Sequence, residues 1–319
     1  MKAAFLDYAT VGSDELDVSS LEQAIPELVL FDDTPASEVA TRITGCEFVF
    51  VNKVRMTREL IESAEGLRFI GLTATGVDNV DLRAAEERGI AVCNIRGYCT
   101  NSVVEHVFAV LLQMTHSIGL YAGCVRAGDW QQAKNFCMLG LPLRELSTMT
   151  LGIVGYGELG KGVARIAEAF GMQVRIARRI GQQAVAGDGR VDLDDLFRDC
   201  DAISLHCPLT DDTRGLIGKR ELEMMKSDAI LVNTARGGLV DSAALVRALG
   251  NGTIAAAAID VLGQEPPVDG DPLLDYDGDN LIMTPHIAWA SVEARQKAVD
   301  EVAKNVQSFL SGGERNRVV

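Results

Sequence analysis

The sequence predicts an α/β protein of two doubly wound parallel-sheet domains, one inserted in the other. Three observations carry this. Short apolar runs alternate with segments of helical spacing along nearly the whole chain, which puts parallel strands under helices on both faces. The alternation comes in two series, parted by a polar stretch from about Tyr121 to Thr148 that is expected to be irregular and holds Gly128-Asp129 and Pro142. The last helical segment, about Ser291 to Ser311, has no strand after it in its own series, so it is read as crossing back to the first. The predicted domains are 1–100 plus 290–319, and 101–289.

In the first series the runs AAFLD, LVLFDD, EFVFVNK, LRFIGLTAT and IAVCNI read as strands. Between them SSLEQAI, SEVATRI, TRELIESAE and VDLRAAEERG have helical spacing, with caps expected at Ser19, Ser37 and Thr57. The helix NSVVEHVFAVLLQMTHSI follows. The second series opens at LGIVGYGELGKGVARIAEAFG. It runs through QVRIARR, DLDDLFRDC, DAISLHCPL, KRELEMMKSDAILVNTA, SAALVRALGNG and IAAAAIDV to LIMTPHI.

The bulk numbers narrow the function classes. At 319 residues, 47% hydrophobic and 24% charged, the chain can bury the cores of an ordinary globular protein. A net charge of −15 argues against binding a nucleic-acid backbone, which needs clustered Lys and Arg. The N-terminal MKAAFLDYAT breaks at Asp7 and does not form a signal, and no apolar run reaches the roughly 20 residues of a membrane span. Seven cysteines without a CxxC pair read as reduced thiols, so a cytoplasmic protein without a metal site is expected. Asp275, Asp277 and Asp279 alternate like the start of a calcium loop but lack its glycine and terminal Glu, so they read as a solvated connection.

Two constellations carry chemistry. GIVGYGELGKG places Gly155, Gly157 and Gly160 between the strand Leu151 to Val154 and a helix opening at Glu158. There the first glycine permits a tight turn, the second a close approach to a pyrophosphate, and the third tight helix–strand packing. About 20 residues on, where NAD-selective folds carry an acid for the ribose hydroxyl, stands Arg178-Arg179. A guanidinium suits a 2′-phosphate, so NADP is the expected cofactor, with NAD possible; the bland alternative is a solvated turn. His206, at a strand end facing the cofactor half, is expected to line the dinucleotide site. Then Arg236, Glu265 and His286 stand at or just past three strand ends, where ligands of parallel sheets bind. Arg offers a fork for a carboxylate, His a proton near neutral pH, and Glu an orienting charge for the His. Taken singly, each has a bland reading: a surface strand end, a loop charge, a core histidine. His106 and His116 lie on the helix after Asn101, where packing or solvent exposure accounts for them.

The motifs GLTATGVDNVDLRAAEERGIAV, GIVGYGELG, LHCPLT, ILVNTARGGLVD, AAIDVLGQEPP and TPHIAWAS resemble those of the D-isomer-specific 2-hydroxyacid dehydrogenase family, from about Phe5 to Phe309. Within it, NKVRMTRELI and GYCTNSVVEHVFAVLL look most similar to glycerate dehydrogenases, also called hydroxypyruvate reductases. The resemblance implies a Rossmann cofactor domain inserted in a discontinuous, flavodoxin-like substrate domain. It implies catalytic roles for Arg236, Glu265 and His286, substrate carboxylate binding by backbone amides near Thr75-Gly76-Val77, and Asn52, Arg236 and His286 as further substrate-binding residues. It places Asp260 beside the nicotinamide and adds Glu158, Leu159, Cys207, Pro208, Thr213, Thr234, Ala235 and Ala288 to the cofactor residues. The stretch after Tyr121 is similar to the arm with which family members embrace a second subunit, so a homodimer is implied. The activity implied is reversible reduction of a short 2-keto acid, such as hydroxypyruvate or glyoxylate, with domain closure hinged near Thr100 and Ala290. The alternatives are a dehydrogenase of D-lactate or phosphoglycerate, or a dinucleotide-sensing corepressor-like binding protein. Trp289 and Trp130 are read either as pocket residues or, for Trp289, as interface packing.

Overall fold

Strands β1 (Lys2–Phe5), β2 (Glu27–Leu30), β3 (Phe48–Val51), β4 (Phe69–Leu72) and β5 (Ala91–Cys93) form one fully parallel sheet in the order β2-β1-β3-β4-β5. This is the flavodoxin-like order. The computed structural model describes residues 1–12, 15–183, 185 and 187–319. The chain divides into two units, Met1–Cys99 with Trp289–Val319, and Thr100–Ala288.

The first unit shows why its strands read as plain apolar runs. FVFV of β3 and FIGL of β4 are buried at every position, because helices cover both faces. Those helices are α1 (Ser19–Ala24), α2 (Ala36–Ile43), α3 (Arg58–Ser63) and α4 (Leu82–Glu87), joined on one face by the C-terminal helix Val292–Leu310. The C-terminal helix buries Val299, Val302 and Val306 on one stripe, and the Phe309 ring meets Phe48 and Phe69. Each fully buried valine contributes roughly 1.5–3 kcal/mol over an exposed one.

Of the three expected caps, Thr57 accepts from the Leu60 N–H. Ser19 and Ser37 instead lie inside their helices, which start one and two residues earlier, respectively, than the serine caps required. Val18 and Pro35 stand at those N-cap positions, and neither bonds through its side chain. At α1 the Asp17 carboxylate takes the Ser19 N–H, and at α2 proline presets the entry.

The second unit holds seven parallel strands: β6 (Thr150–Val154), β7 (Gln173–Ala177), β8 (Arg190–Val191), β9 (Ala202–Leu205), β10 (Ile230–Asn233), β11 (Ala256–Ile259) and β12 (Leu281–Met283). Their order is β12-β11-β10-β9-β6-β7-β8, the Rossmann arrangement with one further strand. The strand order reverses between β6 and β9, the place where such sheets bind ligands. Helices α5 (Thr100–Thr115), α6 (Ile118–Ala127), α7 (Glu158–Ala169), α8 (Leu193–Asp199), α9 (Lys219–Met224) and α10 (Ser242–Gly250) belong to this unit.

The stretch after Tyr121, expected to be irregular, begins inside a helix: α6 reaches Ala127 before Gly128 ends it at φ 86°. It buries none of its residues, so the chain has no inward apolar stripe there to announce a helix. The seven cysteines are free thiols, and burial pushes Cys93 to about 11 and Cys200 to about 12. Among the described residues no single helix is long and apolar enough to cross a membrane, and no group of three His, Cys, Asp or Glu could hold a metal ion.

Candidate active site

The glycine turn between β6 and α7 is shaped by three different constraints. Gly155 has φ +98°, and a Cβ there would lie 2.5 Å from the Cys207 nitrogen and the His206 carbonyl carbon. Gly160 comes so close to β6 that a Cβ would lie 2.1 Å from the Gly155 oxygen. At Gly157 a Cβ would meet nothing within 4 Å. The N–H groups of Tyr156, Gly157, Glu158 and Leu159 donate to no acceptor among the described residues. A pyrophosphate fits this cradle: open space above the second glycine, free donors and the positive end of α7. Thr100 donates its hydroxyl to the Glu158 carboxylate at the helix start. Gly160→Ala drives Cβ into backbone, so we expect a loss of about 1–3 kcal/mol, read as a lower midpoint in denaturant unfolding.

Two sealed polar atoms just past neighbouring strand ends are without partners. His206 Nδ1, just past β9, and Thr234 Oγ1, just past β10, make no hydrogen bond. Ser204 Oγ sits 2.8 Å from the other His206 nitrogen. Burial pushes His206 down to about 4, so its ring is neutral near pH 7. Buried polar atoms are rarely left without a partner, and a bound ligand that completes the bonding is one account of these two. Thr213, by contrast, is satisfied within its own turn, by the Pro208 carbonyl at 2.8 Å and the Thr210 N–H at 2.7 Å.

Arg178 and Arg179 have different surroundings. The Arg178 fork is committed within the protein: Nε to Asp192 at 3.0 Å, Nη1 to Asp188 at 2.6 Å and Nη2 to the Arg190 carbonyl at 3.1 Å. Its side chain is 11% exposed. It braces β8 against β7, which is why it is a poor free ligand for a phosphate. Arg179 is exposed and has no carboxylate partner among the described residues. Arg190, on β8, lies over the Tyr156 ring of the glycine turn, 5.6 Å from its centre, with Lys161 at 5.9 Å.

Because β10, β11 and β12 are neighbours and parallel, the segments after them emerge along one edge. Arg236 follows β10. The Asn233 amide, fully buried, holds its loop by donating to the Arg236 carbonyl at 2.9 Å and accepting from the Ala235 N–H at 3.0 Å. The guanidinium is exposed, touches the Ala235 carbonyl at 2.7 Å, and has no carboxylate within salt-bridge distance among the described residues. Gly237 next to it packs so closely that a Cβ would lie 2.0 Å from the Leu262 carbonyl carbon.

The Leu262 N–H in turn donates to Glu265 Oε1 at 2.8 Å, and Glu265 Oε2 meets His286 Nδ1 at 2.5 Å. Both side chains keep about a third of their surface exposed, 34% and 30%. His286 stands at φ 57°, a left-handed backbone rarely taken by a residue with a side chain. Such a residue costs about 1–3 kcal/mol and persists only where neighbours enforce it. Asp260, 3% exposed, is one of those neighbours: its carbonyl accepts the His286 N–H at 2.8 Å, and its carboxylate accepts from Ile287 and Ala288 at 2.9 and 3.0 Å.

In the other unit, the Thr75-Gly76-Val77 turn follows β4. Its three N–H groups donate to nothing among the described residues, while Asn94 Nδ2 and the Ile95 carbonyl fix Thr75 at 2.8 and 3.0 Å. Three adjacent free amides leave donors available to an anion. Asn52 is buried, its side chain spent on Thr10 at 2.9 Å and its N–H on the buried Asp7 carboxylate at 2.8 Å. Trp289 meets Tyr98 edge-on at 6.1 Å, and Trp130 donates to the Phe136 carbonyl at 3.0 Å.

Residues 108–288 match the family described as D-isomer specific 2-hydroxyacid dehydrogenase, NAD binding domain. The chain is 44% identical over 319 residues to a glycerate dehydrogenase of Methylorubrum extorquens, covering 99% of this chain and 98% of that one. It is 38% identical to a hydroxypyruvate reductase of Blautia hydrogenotrophica, covering 100% and 99%. Among solved structures it superposes on an acyclic imino acid reductase in complex with NADPH and D-Arg, with TM-score 0.83, 29% identity and full coverage of both chains.

Proposed function

The chain belongs to the D-isomer specific 2-hydroxyacid dehydrogenases, and from that premise we propose that it reduces short 2-keto acids, hydroxypyruvate and glyoxylate above all. The relatives named glycerate dehydrogenase and hydroxypyruvate reductase, matched end to end, support that substrate class. The observation that carries the chemistry is the Glu265–His286 pair beside an uncommitted Arg236 at the edge formed after β10, β11 and β12.

In this reading a bound nicotinamide supplies the hydride. Arg236 clamps the substrate carboxylate and polarises the neighbouring carbonyl. Glu265 fixes the ring through Nδ1, so His286 offers the proton on Nε2 to the oxygen that gains charge, and the hydroxyl forms. The free amides of Thr75-Gly76-Val77 give the first unit its own hold on a carboxylate. Because Arg236, Glu265 and His286 are all present, catalysis is favoured over a purely dinucleotide-sensing role. A panel of hydroxypyruvate, glyoxylate, pyruvate and other 2-keto acids, followed by loss of reduced-cofactor absorbance, tests this. Failure to oxidise the cofactor with any of them would return the protein to the binding class.

NADPH is the preferred cofactor in this reading, with Arg179 and Arg190 as the cations that take the 2′-phosphate. The missing acid after β7 and the exposed Arg179 support it; the carboxylates on Arg178 move the role off that residue. One charge-assisted bond is worth roughly 1.5–3 kcal/mol, or about 10- to 150-fold. Arg179→Ser is expected to lower the NADPH-to-NADH efficiency ratio by about that factor. A parent enzyme that favours NADH would refute it.

The protein acts as a homodimer in the same reading. Exposed apolar side chains crowd α6 and the segment after it, with Phe136 90% and Leu139 76% exposed, and a second copy would cover them. Light scattering should give twice the chain mass, and Phe136→Asp with Leu139→Asp should give the monomer.

A further inference from the structure

The four histidines include one whose surroundings the reaction above does not use. His106 lies on α5, and its Nε2 is 3.2 Å from the Thr284 hydroxyl, 178 residues further along the chain. That hydroxyl has one hydrogen, and it is 2.5 Å from Asp260 Oδ1. An ionised carboxylate only accepts, so the hydrogen belongs to the Thr284–Asp260 bond, and the Thr284 oxygen accepts from His106 Nε2–H. His106 Nε2 itself is 4.0 Å from the same carboxylate oxygen.

Asp260 holds the segment that carries His286. It takes the His286 N–H on its carbonyl and the Ile287 and Ala288 N–H groups on its carboxylate. The same helix grips the end of that segment again, where Ser102 donates to the Ala288 carbonyl at 2.8 Å. His286, at φ 57°, needs flanks that leave it no other conformation. A carboxylate free to turn would not fix them. The chain of donors from α5 keeps it from turning.

We propose that His106 is a positioning residue: through Thr284 it locks the Asp260 carboxylate, and the locked carboxylate holds His286 in its left-handed conformation facing Glu265. The proposal rests on reading His286 as the proton donor. It explains why a helix otherwise devoted to packing Val103, Val107 and Leu111 places an imidazole at this point.

The test compares His106→Leu, His106→Gln and Thr284→Val. His106→Leu removes the donor, whereas glutamine can restore an N–H near the position of Nε2. A misplacement of the acid lowers turnover by about 10- to 100-fold. We expect that loss in kcat for His106→Leu and Thr284→Val, with the NADPH dissociation constant unchanged, and recovery to within about threefold in His106→Gln. The double variant should be no worse than either single one, since both break one bridge. Ring-15N spectra give a readout apart from activity: the His286 signal should move in both single variants and return in His106→Gln. If the parent reduces no 2-keto acid yet the His286 signal behaves in this way, the assigned reaction fails and the positioning role stands. An unmoved His286 signal, additive losses, or a glutamine variant as poor as leucine would overturn it. Should His106→Leu not fold, Thr284→Val against the parent decides on the same signal.

Discussion

His286→Ala lowers turnover by about 100-fold or more, within the usual range for a positioned acid–base group, and leaves cofactor affinity nearly unchanged. Glu265 Oε2 holds Nδ1 at 2.5 Å and Oε1 is itself anchored on the Leu262 N–H at 2.8 Å, so the ring is fixed from behind and presents its other nitrogen. The glycine cradle is a separate structure between β6 and α7, so removing the imidazole does not touch it. At φ 57° alanine, like histidine, takes a conformation disfavoured for a residue with a side chain, so the substitution does not relieve the backbone. The measurement is kcat with saturating hydroxypyruvate beside the NADPH dissociation constant; near-parental kcat would remove His286 from the proton-transfer role.

The sequence makes some of this legible and hides the rest for identifiable reasons. Buried parallel strands are unbroken apolar runs, so β3, β4, β6, β9 and β10 stand out, and the glycine spacing betrays the turn after β6. The two-residue β8 is too short to leave a pattern. Helix α6 escapes because it turns no stripe inward. Single-residue cap assignments at Ser19 and Ser37 fail because the helices begin at positions whose caps use no side chain. Arg178 shows the limit most plainly. Its place after β7 is visible in the chain, but its partners Asp188 and Asp192 come 10 and 14 residues later, through a loop with no periodicity. His106 is harder still, for its partner Thr284 lies on a different element at the far end of the unit. Local spacing can nominate a residue that stands at a strand end; it cannot say which of its donors the fold has already spent.

Arg236→Ala is expected to lower kcat/KM for hydroxypyruvate by about 100-fold to 10,000-fold. Two parallel charge-assisted bonds to a carboxylate, each worth roughly 1.5–3 kcal/mol, set that range. The guanidinium is free for the task, being exposed and without an internal carboxylate among the described residues, unlike the Arg178 fork. Its loop is held independently, by Asn233 at 2.9 and 3.0 Å and by Gly237 packed on Leu262, so alanine deletes the fork without releasing the turn. Arg236→Lys separates charge from shape. Lysine keeps the cation but not the planar pair of donors, so it should recover only part of the loss. The sharper control uses a hydroxyketone that lacks the carboxylate. The parent should prefer the acid strongly, and Arg236→Ala should erase most of that preference, because the two bonds to the carboxylate are the larger part of what the variant loses and its help to the carbonyl is lost on both compounds alike. Equal losses on both compounds would mean that Arg236 does not read the carboxylate, and full recovery with lysine would mean that charge alone suffices.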